Sequence, residues 1–325
     1  MTLSFPNLQS FKITTSGISD VTQAALAPSV IPDDIGLMTK YSGFTTLSET
    51  IGSTVIHVDE VILLAYGTAK KVVTRRQEAK LLQPLLAAGA ENTAGLRRQV
   101  REELLSRMPQ SLTWYPILID PISSMAFISG GSSDQILEAR RALLKCVPSL
   151  RLEFYSGVRW PTYHLSSWLK SESKLPEHVE FGRLVRLMQE ENKSICMMSE
   201  VALPNQEVLR QLDTSNCFVA ELGLIWYENL RFIANGSLAI ASLIPINDFR
   251  NHLNALKEID VEIIRIEQEV HAWLDLLRPL MTCLMDELTR APADIVEDEP
   301  RPHNHNLPFI FDPEFKADNI GEKSA

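Results

Sequence analysis

Reactive chemistry is what this chain has least of. Its four cysteines, Cys146, Cys196, Cys217 and Cys283, lie far apart with no C-x-x-C pair. That spacing reads as buried, reduced thiols of a cytosolic protein rather than a disulfide framework or a zinc knuckle. The seven histidines are scattered, and only His303 and His305 stand close together. An H-x-H pair without further ligands is weak support for a metal, and no cofactor is expected. The phosphate-binding G-x-x-x-x-G-K-[ST], the dinucleotide G-x-G-x-x-G, the metalloprotease H-E-x-x-H and the hydrolase G-x-S-x-G are all absent. Neighbouring carboxylates such as Glu102/Glu103 and Glu190/Glu191 diverge on a helix, so they read as solvated faces. Nothing assembles a nucleophile, a base and an orienting third group, which argues against an enzyme. No apolar run reaches the roughly 18 residues that a membrane span needs. The opening Met1-Thr2-Leu3-Ser4-Phe5-Pro6 lacks the basic and apolar segments of an export signal, so a cytoplasmic location is expected.

What the chain does have is charge, unevenly spread. The formal net charge is −10, which by itself speaks against a nucleic-acid partner. Residues 292–325 hold eight acidic residues against Arg301, Lys316 and Lys323, a net of −5. Residues 70–107 hold nine basic residues against Glu78, Glu91, Glu102 and Glu103, a net of +5. The molecule is polarised rather than uniformly acidic.

Hydrophobic patterning predicts mixed α and β structure. Strands are expected at 3–14, in a pair over 55–66, at 111–119 and 125–129, at 150–155 and at 194–200. Helices are expected over 75–86, 94–108, 132–145, 164–170, 183–190 and 205–212, the second stopped by Pro109. Ser129-Gly130-Gly131-Ser132-Ser133-Asp134 precedes the 132–145 helix without a phosphate-binding lysine, so its hydroxyls read as N-caps. Residues 17–50 carry no clear period. The stretch 217–244 reads as a three-stranded meander with Asn235-Gly236 as a type I′ turn. An apolar stripe then recurs every three or four residues from Leu253 to Leu288. It predicts a core-facing helical pair, kinked or divided at Pro279.

Residues 1–291 therefore read as one folded body, and 292–325 as a mobile acidic tail. The tail carries Leu307-Pro308-Phe309-Ile310-Phe311-Asp312-Pro313-Glu314-Phe315, which suits either a docking peptide or a segment folded back on the body. In the basic stretch, Arg97, Arg98 and Arg101 lie within one turn. They serve equally as a site for an anionic partner or as ion-pair partners of Glu102, Glu103 and the tail.

The order of short motifs resembles the recombination-associated RdgC family. Phe5-Pro6-Asn7-Leu8 with Phe11-Lys12-Ile13 is similar to the family's opening strand, and Glu103-Leu104-Leu105-Ser106-Arg107-Met108-Pro109 to a helix ending in L-P. Leu118-Ile119-Asp120 is similar to a W-I-D strand end, Leu165-Ser166-Ser167-Trp168-Leu169 to an L-T-x-W segment, and the meander to a K-L-A-L-x-W, I-x-F, G-S-L run. The closing helix over 273–288 fits as well.

The resemblance implies an α/β (α+β) crescent of antiparallel sheets and flanking helices. Two such chains would close head to head into a ring around double-stranded DNA. It implies a nucleoid-associated, non-enzymatic homodimer with no membrane partner, limiting a RecA-type recombinase indirectly through the DNA. The candidate DNA contacts are then Lys70, Lys71, Arg75, Arg76, Lys80, Arg97, Arg98 and Arg101. This chain departs from relatives by reading Met197-Met198-Ser199-Glu200 where they carry a basic stretch, by Leu118 in place of the Trp, and by the added tail. The basic helices would carry DNA alone. The alternative is a scaffold that has lost DNA binding and engages protein through its acidic surface and Phe-rich tail.

Overall fold

Alternating and continuous apolar runs build most of the core from strands. In the computed structural model, which describes residues 3–14, 17–48, 50–154, 161–171, 174–189, 195–214, 217–236 and 239–290, twelve strands form one antiparallel sheet flanked by eight α-helices. The chain is thus a mixed α/β protein, as expected.

The strands are β1 (Asn7–Ile13), β2 (Lys40–Thr45), β3 (Val55–Val58), β4 (Val61–Lys70), β5 (Ser111–Asp120), β6 (Met125–Gly130), β7 (Leu152–Glu153), β8 (Val179–Gln189), β9 (Ile195–Ser199), β10 (Cys217–Trp226), β11 (Leu230–Asn235) and β12 (Ala239–Pro245). Their order across the sheet is β2-β4-β5-β6-β1-β12-β11-β10-β8-β9, with β3 on β4 and β7 on β1. The helices are α1 (Gln23–Leu26), α2 (Arg75–Ala87), α3 (Ala94–Arg107), α4 (Ser133–Cys146), α5 (Pro161–Lys170), α6 (Gln206–Thr214), α7 (Asn247–Leu256) and α8 (Glu262–Thr289).

The two halves of the sheet are covered differently. Around β4, β5 and β6 both faces are buried. Leu63, Leu118 and Phe127 face the core that contains α8, while Ile62, Leu64, Ile117, Ile119 and Ile128 face the core that contains α4. Burial on both sides is why residues 61–65 read as an unbroken apolar run instead of an alternation. Strands β8 to β12 are covered on one face by α5, α6, α7 and α8. No helix covers their other face among the described residues.

The long stripe after residue 253 resolves into α7 and α8, which pack together in the larger core. The division falls at residues 257–261, and α8 runs unbroken through Pro279. Phe5 and Phe249 both meet Trp273 edge-on, at 4.8 and 5.1 Å. Burying each such ring contributes about 1.5–3 kcal/mol.

Two further expectations need correcting. Residues 183–190 belong to strand β8, not to a helix. Leu184, Leu187 and Met188 mimic helical spacing, but the residues that reach the core are Val185 and Leu187, two apart, as a strand requires. Asn235-Gly236 does not form the type I′ turn, since neither residue has a positive φ. Instead Asn235 Oδ1 accepts the Ala239 N–H at 3.2 Å and bridges a longer connection. Both positive-φ positions of a tight turn fall on Tyr227 and Glu228, at 48° and 57°, closed by the Asn229 N–H on the Trp226 carbonyl. The N-capping reading of the 129–134 segment holds, with Ser132 Oγ accepting the Gln135 N–H at 3.4 Å. The acidic tail lies outside the described residues.

Candidate nucleic-acid interface

Strands β4 and β5 are adjacent and antiparallel, and their last pair is Lys70 opposite Ser111. The forty residues 71–110 between them leave the sheet as a helical hairpin, α2 packed on α3. Capping fixes both starts. Thr74 and Gln77 form a reciprocal capping box at α2, and Thr93 Oγ1 accepts the Leu96 N–H at α3. Gly89, at a φ of +94°, turns the chain between them. No residue of α2 is buried, and α3 buries only Val100 and Leu105. The pair projects from the body and presents its side chains to solvent on most of its circumference.

The eight basic residues picked out by sequence divide into three groups. Lys71 is a correction: its side chain is 2% exposed, so it does not reach solvent. Its ammonium contacts Asp34 Oδ1 at 2.5 Å and donates to the carbonyls of Gly36 and Leu105, each at 3.0 Å. The hydrogen bond from Lys71 holds the Asp34 carboxyl below the usual carboxylate range. Lys71 therefore ties the end of α3 and the 34–36 loop to the end of β4. It anchors the hairpin rather than lining it.

Arg98 and Arg101 are exposed but already paired. Arg98 Nε donates to Glu102 Oε1 at 2.7 Å, and Arg101 Nε lies 3.8 Å from Glu78 on the facing helix. Arg107 is likewise paired, to Glu103 at 2.8 Å. The hydrogen bond to Glu102 raises the Arg98 pKa, so it stays charged at any working pH. Exposed pairs of this kind are worth only about 0–1 kcal/mol and exchange readily for phosphate.

Lys70, Arg75, Arg76, Lys80 and Arg97 are exposed and have no carboxylate partner among the described residues. Arg97 Nε donates instead to Asn92 Oδ1 at 2.8 Å. The Arg101–Glu78 contact fixes the antiparallel order of the hairpin, which places Arg75, Arg76 and Lys80 along α2 toward its base and Arg97 toward its tip. These cations are thus distributed along a hairpin about 20 Å long at the rise of an α-helix.

Sequence reasoning missed a second group of cations on the uncovered face of the sheet. Between the pairs Leu222–Val185 and Leu224–Phe181, β8 sets three residues against Gly223 alone. This bulge turns Arg183 out of the core alternation and onto the open face. A second bulge at Ser242 of β12, with φ of 51°, lies opposite Phe232. Together they dent the sheet into a hollow of about 200 Å³ bordered by Arg183, Arg231, Ser199, Glu200 and Ile244, with Gly182 and Gly223 on its floor, and Glu200 lies 3.8 Å from Arg183. Beside it Arg186 pairs with Glu221 at 2.9 Å. A bulge has no sequence signature beyond its glycines, so Gly182 and Gly223 were the available signal.

Among the described residues, no group of three or more His, Cys, Asp or Glu side chains is placed to hold a metal ion. No described helix is long and apolar enough to cross a membrane. No curated protein sequence matches the chain. A family model does. It is described as "Putative exonuclease, RdgC" and matches residues 3–291. That span holds every strand of the sheet, the projecting basic hairpin and the helices beneath them, and on it the chain belongs to the RdgC family.

Proposed function

We propose that this chain binds double-stranded DNA without sequence preference through the α2–α3 hairpin. It does so as a ring-shaped homodimer that limits access of a RecA-type recombinase and performs no chemistry on the DNA itself. The observation that carries the reading is a set of exposed cations with no carboxylate partner among the described residues, Arg75, Arg76, Lys80 and Arg97 on a hairpin raised clear of the acidic body, with Lys70 at its foot. Family membership supports it. Cations at helical spacing on a hairpin suit the evenly repeated phosphates of a duplex, which fix position but carry no sequence information. A closed ring adds topological retention, so few phosphate contacts suffice. Such a protein would reside on the nucleoid and affect recombinase only through shared DNA.

The test compares linear with circular duplex in gel shifts, with magnesium present and DNA length checked afterwards. Retention on circles with loss from linear ends is expected, and the DNA should be recovered intact. Equal retention on both forms contradicts the ring. Shortened DNA contradicts the non-enzymatic reading.

One observation favours a second reading. Glu78, Glu102 and Glu103 already engage three of the hairpin arginines, within a chain of net charge −10. Under that reading the scaffold has lost DNA and binds protein, and duplex affinity would be absent at low salt.

A further inference from the structure

The sheet ends on an edge that is not protected by its own residues. Strand β9 is the last in the order, paired to β8 on one side and to nothing on the other among the described residues. Its sequence, Ile195-Cys196-Met197-Met198-Ser199, contains no charge and no proline. Soluble proteins ordinarily blunt an edge with lysine, proline or a bulge, because an open row of N–H and C=O groups recruits further strands. Here the outward side chains are apolar as well. Ile195 is 57% exposed and Met197 54%, whereas Cys196 and Met198 pack against the core. Ser199 continues the exposed side into the hollow bordered by Arg183, Arg231 and Ile244. The edge therefore offers backbone hydrogen bonds and an aliphatic and thioether strip.

We infer that this edge is covered by the chain's own C-terminal segment 307–315, added as a further strand beside β9. The segment fits the edge in two respects. Phe309 and Phe311 are two residues apart, so in extended form they share a face and would lie over Ile195 and Met197, a sulfur–aromatic arrangement. Pro308 and Pro313 bracket the strand, a position an added edge strand tolerates because it needs ladder bonds on one side only.

Reach is not limiting. Helix α8 ends beside α5, where the Arg290 carbonyl lies 2.7 Å from His164 Nε2. Helix α5 packs on β10, and only β8 separates β10 from β9, about 10 Å at the usual strand spacing. The sixteen residues 291–306 can extend about 50 Å. The family match ends at residue 291, so the covering strand lies outside it. This inference is independent of the duplex-binding reading.

Hydrogen exchange of the full-length protein tests it. Exchange is followed in peptides covering residues 195–199 and 307–315, in the parent chain and in the variants Phe309→Ser/Phe311→Ser and Met197→Asp. In the parent, both segments should exchange at least about tenfold more slowly than an unstructured peptide, at every protein concentration. The tail variant should speed exchange of the outward β9 amides, and Met197→Asp should speed exchange of 307–315. In both, β4, β5 and β6 should be unchanged, which shows that the fold survives. Unprotected exchange of 307–315 in the parent overturns the proposal. So does β9 protection that persists in the tail variant, or that falls on dilution, which would give the edge to a second copy.

Discussion

Asp120 and Glu269 are both fully buried carboxylates, and they respond to pH in opposite senses. Burial alone would raise Asp120, but hydrogen bonds from Arg278 at 2.7 and 2.9 Å and from Ser123 outweigh it and leave the pKa lowered. A lowered acid contributes stability above its unfolded-state pKa and loses it as pH falls through the folded one. Glu269 is raised, chiefly by burial, although it accepts the Leu3 N–H at 2.6 Å. Its contribution is present below the unfolded-state pKa and is lost as pH rises through the folded one. Asp120→Asn should therefore cost about 3 kcal/mol at neutral pH, because it strands the Arg278 guanidinium, and less in acid. Glu269→Gln should gain stability relative to the parent as pH rises above the ordinary glutamate range of about 4.3. Urea unfolding from about pH 2 to about pH 8 checks both.

The same scale explains why Lys71 misled. A Lys-Lys pair looks uniform in sequence, yet it closes a strand whose side chains alternate, so Lys70 points out and Lys71 in. Lys71→Met should destabilise by about 2–4 kcal/mol, since it leaves two carbonyls without their donor. Asp120 was legible only as the close of the Leu118-Ile119-Asp120 strand end, because its partner Arg278 lies 158 positions away in sequence.

At the scale of elements, what could be read depended on whether local pattern and tertiary setting agreed. Helices α2, α3 and α4 were legible because their residues recur at helical spacing, with Pro109 stopping α3 and serines announcing the start of α4. Strand β8 was not. Its bulge sets three residues against one, which breaks the two-residue alternation and leaves a helix-like spacing. That dent leaves no room on its floor. A Cβ on Gly182 would come within 2.9 Å of the Gly223 carbonyl carbon, so Gly182→Ala should cost about 1–3 kcal/mol in unfolding measurements.

The hairpin makes a graded prediction. Arg76→Ala, which removes a cation without a carboxylate partner, should weaken duplex binding more than Arg98→Ala, whose charge Glu102 already offsets. The effect should be the same on any DNA sequence, as fluorescence anisotropy on two unrelated duplexes would show.

For the whole molecule, charge is segregated rather than balanced. The basic residues stand on a projecting hairpin, while the net charge of the whole chain is −10. Segregation of this kind orients an anionic polymer toward one feature and repels it elsewhere. The composition total hid it, and the residue-by-residue count revealed it. How two chains would meet was not legible in any residue pattern and rests on the family resemblance alone. The central claim is that the cations of α2 and α3 that have no carboxylate partner among the described residues meet phosphate. It is tested most directly by the salt dependence of duplex affinity, for the parent and for Arg75→Glu/Arg76→Glu/Lys80→Glu. The parent should lose log affinity with log salt at about −0.9 per phosphate contacted, and the triple variant should be shallower by about 2.7. A flat response in the parent, or an unchanged slope in the variant, would contradict it.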